Sequence, residues 1–253
     1  MNEIIFDRKL LSFNRKRYKS HNANHNQFHH YIADKIYEDL ISLNKEYGKV
    51  LELQAIDDYI YKLLTINNNN INYLTSNFDL SCDEEYLPFK PNSFDAVISN
   101  LNLQFINQIP FFIKQLYQIL KKDAVTILTF FGEDNLAELS QAIYLSENEI
   151  YGGISSRMIP TIDIKTSGQL FHKHGFKNVT ADVEKITVEF DSVSELLHAI
   201  KFMGFGNILI NRSRKFFSKK LLAKTIQNYE KLYRLENLKI PATFKIITII
   251  AYK

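Results

Sequence analysis

The chain has 253 residues, 45% of them hydrophobic and 23% charged, which excludes a disordered, collagen-like or coiled-coil polypeptide. A single cysteine, Cys82, excludes an intrachain disulfide, and no Cys/His spacing resembles a zinc site, so a reducing compartment is expected. The net charge is only +3 but it is unevenly spread: residues 1–20 hold six basic side chains against two acids, 211–224 hold six and no acid, and 79–99 hold five acids with one lysine.

Such separation either steers an acidic partner or serves solvated helix faces. No RNA- or DNA-binding signature accompanies the basic segments, so nucleic acid is not an expected partner. No apolar run approaches the ~18 residues of a membrane span. Glu3, Asp7, Arg8 and Lys9 stand where a secretory leader carries its apolar stretch. The expected location is the cytoplasm.

Residues 1–48 read as an N-terminal helical segment. Within it His21, His25 and His29 recur every four residues, with His30 beside them. On a helix that spacing faces one way and could hold a metal, but the Asn-rich surroundings favour a solvated segment, and no metal site is assigned. An α/β core is expected over 49–190. Lys49–Leu53 reads as a strand, Asp57–Thr65 as helix, Asn67–Asn70 as a loop and Ile71–Leu74 as strand. Ser93–Ser99 and Ala124–Phe131 read as buried strands. Between them, Ile109, Phe112, Ile113, Leu116, Tyr117 and Leu120 make the stripe of an amphipathic helix over Gln108–Leu120. Strands joined by such helices imply right-handed crossovers and a parallel sheet. Gln169–His174 reads as a helix end stopped by Gly175. Val179–Phe190 and Phe244–Tyr252 alternate strictly, which suggests an antiparallel pair at one sheet edge. Between them the stretches Val193–Lys201 and Phe217–Tyr233 make a helical insertion over 191–239, and 240–253 supplies the last strand.

The motifs sharpen this outline. DEEYLPF (83–89) followed by FDAVIS (94–99) and NLNLQFINQIP (100–110) resembles the class I S-adenosylmethionine-dependent methyltransferases, and KKD (121–123) stands where that superfamily has a turn reading K-P-x-G. IFDRKLL (5–11), FGEDNLAEL (131–139), GGISSRMIP (152–160), Met203-Gly204 with Asn207, Asn211-Arg212 and IPATFKIITIIAYK (240–253) are similar to the mitochondrial complex I assembly factor 5 family of arginine hydroxylases and its bacterial relatives. The malonyl-carrier-protein methyltransferases of biotin synthesis match the C-terminal half less well. The resemblance implies a doubly wound, mostly parallel sheet of the seven-stranded type, with an antiparallel C-terminal edge pair. It implies S-adenosylmethionine as cofactor, held by Glu52, Leu53, Asp83, Glu84 and Asn100, with Asp83 accepting the adenine amino group. It also implies a protein substrate or client, such as a respiratory complex I subunit, that is hydroxylated or methylated. Substrate-facing candidates are Arg157, Asn207, Arg212, Tyr229 and Tyr233.

Each candidate has a plainer alternative. Asp83 before Glu84 and Glu85 could be a helix N-cap, Glu52 a salt-bridge partner under the sheet end, Arg157 a loop tie, and the tyrosines core residues. Two departures from the family pattern also stand out. The first strand of a cofactor-binding member runs into an acid and a glycine-rich turn, and glycine lets the backbone approach the ligand there. Here the stretch reads Glu52-Leu53-Gln54-Ala55-Ile56-Asp57-Asp58, with Gln54, Ile56 and Asp58 at the glycine positions. Further, Glu52 and Asp83 are too close in sequence for two full crossovers, since one such unit needs about 30 residues. The second crossover helix is therefore expected to be missing or reduced to a turn around Thr75–Phe78, where Thr75, Ser76 and Asn77 replace the family's ribose-binding acid. Gln104-Phe105 replaces the family's histidine–aromatic pair. The alternative function is a degenerate fold that no longer binds the cofactor and serves as an assembly scaffold.

Overall fold

The computed structural model describes residues 4–19, 26–66, 71–76, 82–212 and 217–253. In chain order its elements are α1 (Arg8–Lys19), α2 (Gln27–Ser42), β1 (Lys49–Leu53), α3 (Tyr59–Thr65), β2 (Asn72–Thr75), β3 (Phe94–Ser99), α4 (Ile109–Ile119) and β4 (Leu120–Phe131). They continue as α5 (Ala137–Tyr151), α6 (Ile164–Lys173), β5 (Lys177–Phe190), α7 (Val193–Phe202), α8 (Lys219–Tyr233) and β6 (Ile240–Tyr252). Six strands form one sheet in the order β2-β1-β3-β4-β6-β5. β2, β1, β3 and β4 run parallel, while β6 lies antiparallel between β4 and β5. This is the doubly wound α/β architecture with the antiparallel edge pair.

The strand sequences explain both faces. In β1, Val50 points to one side with Ile98 of β3 and Ile127 of β4, where Ile32, Ile36 and Leu40 of α2, Leu139 and Ile143 of α5 and Tyr229 of α8 pack. Leu51 and Leu53 point to the other side with Val97 and Leu128, under Phe112, Ile113 and Leu116 of α4 and Phe171 of α6. Central strands covered on both faces read as continuous apolar runs, and β1, β3 and β4 do.

Several boundaries move. β4 starts at Leu120, which pairs with Phe94 across a register shift. β6 starts at Ile240, so Pro241 lies inside it. Proline is tolerated there because only residues from Ile246 onward pair with β4, and Pro241 meets β5 alone, opposite Glu189. α8 begins at Lys219, where the Ser218 hydroxyl accepts the Leu221 N–H at 3.1 Å. Asn67–Asn70, Asn77, Phe78, Lys215, His21 and His25 lie outside the described residues. Among the described residues, no helix is long and apolar enough to cross a membrane.

Candidate functional site

The chain leaves β1 for β2 on one side and later returns to β3 on the other, so the strand order reverses between β1 and β3. Open α/β sheets bind ligands at the carboxyl ends of the strands flanking such a reversal. A cavity of about 210 Å3 sits there, lined by Gln54 and Ile56 after β1, by Asn100 after β3, and by Ser12, Arg15 and His29 from the N-terminal helices.

The loop after β1 keeps a glycine-like shape without the glycine. Gln54 has φ +56, and its N–H donates to the Ser76 hydroxyl at 2.7 Å. Its side chain turns toward α1. Arg15 donates through Nη1 to Gln54 Oε1 at 3.0 Å and through Nη2 to Asn102 Oδ1 at 2.5 Å. Both acceptors are neutral. Desolvation of the guanidinium pulls the Arg15 pKa down to about 10, although Glu84 opposes the shift. His29 is buried, its Nδ1 has no hydrogen-bond partner, and burial followed by the Arg15 charge pushes its pKa to about 3. Among the described residues, no carboxylate lines this cavity.

A second layer holds α1 in place. Arg8 pairs with Glu84 at 2.8 Å and with Asp83 at 3.0 Å, and donates to the Phe105 carbonyl at 3.0 Å. Glu84 is 1% exposed and also accepts from Asn102 Nδ2 at 2.9 Å. Asp83 takes the Glu85 N–H on the same Oδ1 that faces Arg8. The Asn107 side chain accepts the N–H groups of Ile5 and Phe6 at 2.8 and 2.7 Å. Thus two residues of the first basic cluster, Arg8 and Arg15, are built into the strand ends.

The other candidates separate. Glu52 lies below the cavity at 4% exposure, accepts the Tyr73 hydroxyl, and is pushed by burial to a pKa of about 8. Leu53 is core. Asn100 lines the cavity and donates to the His29 carbonyl at 3.0 Å. His30 turns away from His29 to meet Asp57 at 2.7 Å and stacks on Tyr59. Arg157 and Asn207 line a second, larger groove of about 960 Å3 between α5, α7 and the loop before α6. Arg157 pairs there with buried Glu147 at 2.6 Å, and Asn207 donates to the Ser156 carbonyl at 3.0 Å. Arg212 reaches Asp7 at 3.5 Å and the Leu209 carbonyl at 2.7 Å, away from both spaces. Tyr229 is fully buried and donates to the Pro241 carbonyl at 2.6 Å, while Tyr233 bonds Gln141; neither lines the cavity or the groove. Arg8 and Arg15 are the additions, and spacing gave no signal for them because their partners lie far along the chain. Gln104 and His29 stand out in the sequence, but their unpaired atoms show only in the structure.

The family described as a methyltransferase domain matches residues 48–128, the segment that carries β1 through most of β4. The mitochondrial arginine-hydroxylase NDUFAF5 of Mus musculus is 34% identical over 212 residues, covering 83% of this chain and 60% of that protein. The core of the chain is thus similar to methyltransferase domains. A Rickettsia prowazekii protein carrying a provisional methyltransferase name is 29% identical over 201 residues, 74% of this chain and 88% of that one. The YcgJ protein of Bacillus subtilis shares the fold at a TM-score of 0.50 and 11% identity, covering 86% of this chain and 97% of that chain. The chain thus spans about 60% of its mouse relative.

Proposed function

We propose that this chain is an enzyme that hydroxylates or methylates a side chain of a protein substrate, a client of respiratory complex I or its assembly, with S-adenosylmethionine at the β1/β3 cleft. What supports the reading is the cavity at the strand reversal: a desolvated guanidinium whose own partners are neutral, an orphaned histidine nitrogen, and no carboxylate in the lining among the described residues. A half-buried cation without a bonded anion suits the carboxylate end of an amino-acid ligand. Asp83, outside the lining of the cavity, spends Oδ1 on Arg8 and Glu85 and carries no bond on Oδ2 among the described residues, which suits an amino-group donor.

The lining therefore suits the amino-acid end of the cofactor, where Arg15 and His29 would hold it, and Asp83 is the candidate acceptor for its adenine amino group. When bound, S-adenosylmethionine would supply an electrophilic methyl group for methylation, whereas hydroxylation would take its oxygen atom and oxidising equivalents from an oxidant such as dioxygen. The protein's part is to orient and to exclude water: Phe105 and Phe205 wall the cavity, and Glu84 anchors Arg8 and Asn102 behind it. The kinship with an arginine hydroxylase supports a protein side chain as substrate.

A second reading is a scaffold that has lost the cofactor. It is favoured by one observation: Gln54 replaces a turn glycine, and Arg15 bridges it to Asn102 across the cleft. Calorimetric titration with S-adenosylmethionine at physiological salt separates the two. The enzyme reading expects a dissociation constant between about 100 μM and the low millimolar range, under ~5.5 kcal/mol, because Gln54 and Ile56 narrow the cleft. No binding at millimolar cofactor would leave the scaffold. A micromolar constant would overturn the argument from the rewritten loop.

A further inference from the structure

Beyond the cofactor cavity lies the larger groove, about 960 Å3 in volume, and the two meet at Phe205, which lines both. Phe205 packs edge-on against Phe131 with ring centroids 4.6 Å apart, and its ring lies 5.1 Å from that of His29. A group held in the groove beside Phe205 therefore neighbours the cavity. The groove's rim is apolar and open: Tyr144, Leu145 and Ile154 are 37%, 39% and 66% exposed.

At the β3 end of the groove stands Gln104, in the 3-10 turn Leu103–Phe105 and only 6% exposed. Its Nε2 donates to the Leu101 carbonyl at 2.7 Å. A carbonyl can only accept, so this bond fixes which way the amide faces. The remaining prong is Oε1, and it has no hydrogen-bond partner. A buried acceptor without a donor is unfavourable until something supplies one. The charged side chains of the lining are already engaged: Arg157 with Glu147 at 2.6 Å, Asp134 with Lys245 at 3.0 Å, and Lys201 in an interaction of its own. The missing donor is left to the occupant.

We propose that this groove receives a side chain of a polypeptide substrate and that Gln104 selects, through Oε1, a side chain ending in an N–H donor. The inference rests on the protein-modifying reading for the nature of the substrate, but the hydrogen-bond argument stands without the cofactor. Gln104 is a specificity-determining residue in this scheme. A carboxylate head would meet Oε1 with like partial charge, and an aliphatic head would leave it unpaired.

The test uses the full chain without cofactor and four blocked tripeptides, acetyl-Gly-X-Gly-amide, with X as arginine, glutamine, glutamate or norleucine, titrated by NMR. The arginine or the glutamine peptide should bind at least five-fold more tightly than the norleucine and glutamate peptides. Gln104→Leu should lower the favoured peptide to the norleucine level and leave norleucine within two-fold. Gln104→Glu keeps an acceptor and should hold or tighten the arginine peptide, so a folding defect in the leucine variant does not decide the matter. Equal affinity for all four peptides, or discrimination that survives Gln104→Leu, would overturn the proposal. Because cofactor titration is measured separately, its failure would remove the enzyme reading and leave the groove assignment standing.

Discussion

Replacing Glu52 by glutamine isolates one buried carboxyl whose titration the fold controls. Glu52 is 4% exposed and burial lifts its pKa from an ordinary 4.5 to about 8, against the opposing pull of the Tyr73 hydroxyl bond. Between those values the folded chain keeps a proton that the unfolded chain has released. Stability from this group is therefore full below about pH 4.5 and drains away as the pH rises toward 8. Integrated from pH 5 to pH 8, the loss comes to about 3.5 kcal/mol at 1.36 kcal/mol per pK unit. His29 works the other way, because its pKa of about 3 lies below the ordinary 6.5 and stability is lost as the pH falls through that window. Both proteins keep His29, so it cancels in the difference between variant and wild type. Glutamine stays neutral and can still accept from Tyr73. Urea denaturation at pH 5 and pH 8 should show the variant gaining about 3.5 kcal/mol on the wild type between the two conditions. A difference that stays flat to within about 1 kcal/mol would mean that Glu52 is already ionised in the fold, and the desolvation argument would fail.

Three further changes probe the site and its support. Gln54→Gly should leave stability within about 1 kcal/mol, since relief of the left-handed backbone offsets the chain entropy of glycine. It should also raise S-adenosylmethionine affinity at least five-fold in calorimetry by clearing the cleft; unchanged affinity would show that this side chain does not narrow it. Asp83→Ala should weaken cofactor binding roughly ten-fold through loss of a charged acceptor, and cost about 1 kcal/mol of stability from the lost Glu85 N–H bond. Tyr229→Phe should cost about 1 kcal/mol in denaturation, because the Pro241 carbonyl loses its donor, while cofactor affinity stays at the wild-type value.

How far the sequence carried depends on the range of each interaction. β1, β3 and β4 were legible because burial on both faces writes itself as a local apolar run, and α4 because its stripe repeats within eleven residues. The rewritten loop was legible as a substitution, but the left-handed backbone at Gln54 was not, since a side chain there says nothing of φ. Arg8 and Arg15 read as solvated charge because their neighbours are basic. Their acceptors, Asp83 and Asn102, lie 75 and 87 residues away along the chain, and no periodicity spans that distance. The four-residue histidine spacing falls mostly outside the described residues; of the set, His29 and His30 are described, and they serve different neighbours. Tyr229 and Tyr233 fit a helix turn equally well as cleft or as core; only the proximity of Pro241 decides it.

The placement of β6 bears on how the nascent chain matures. Val125 of β4 pairs with Tyr252, and Lys177 of β5 pairs with the same residue from the other side. Until residues 240–252 have been synthesised, β5 has no neighbour in the sheet and β4 presents an open edge. Pairings this distant in sequence form late and slowly. A ribosome-bound chain that has completed β5 thus carries one unpaired strand and one open sheet edge, features that invite association with other chains. Closure of the sheet waits on a single strand, and holding factors that shield β4 and β5 should act before it is made rather than after.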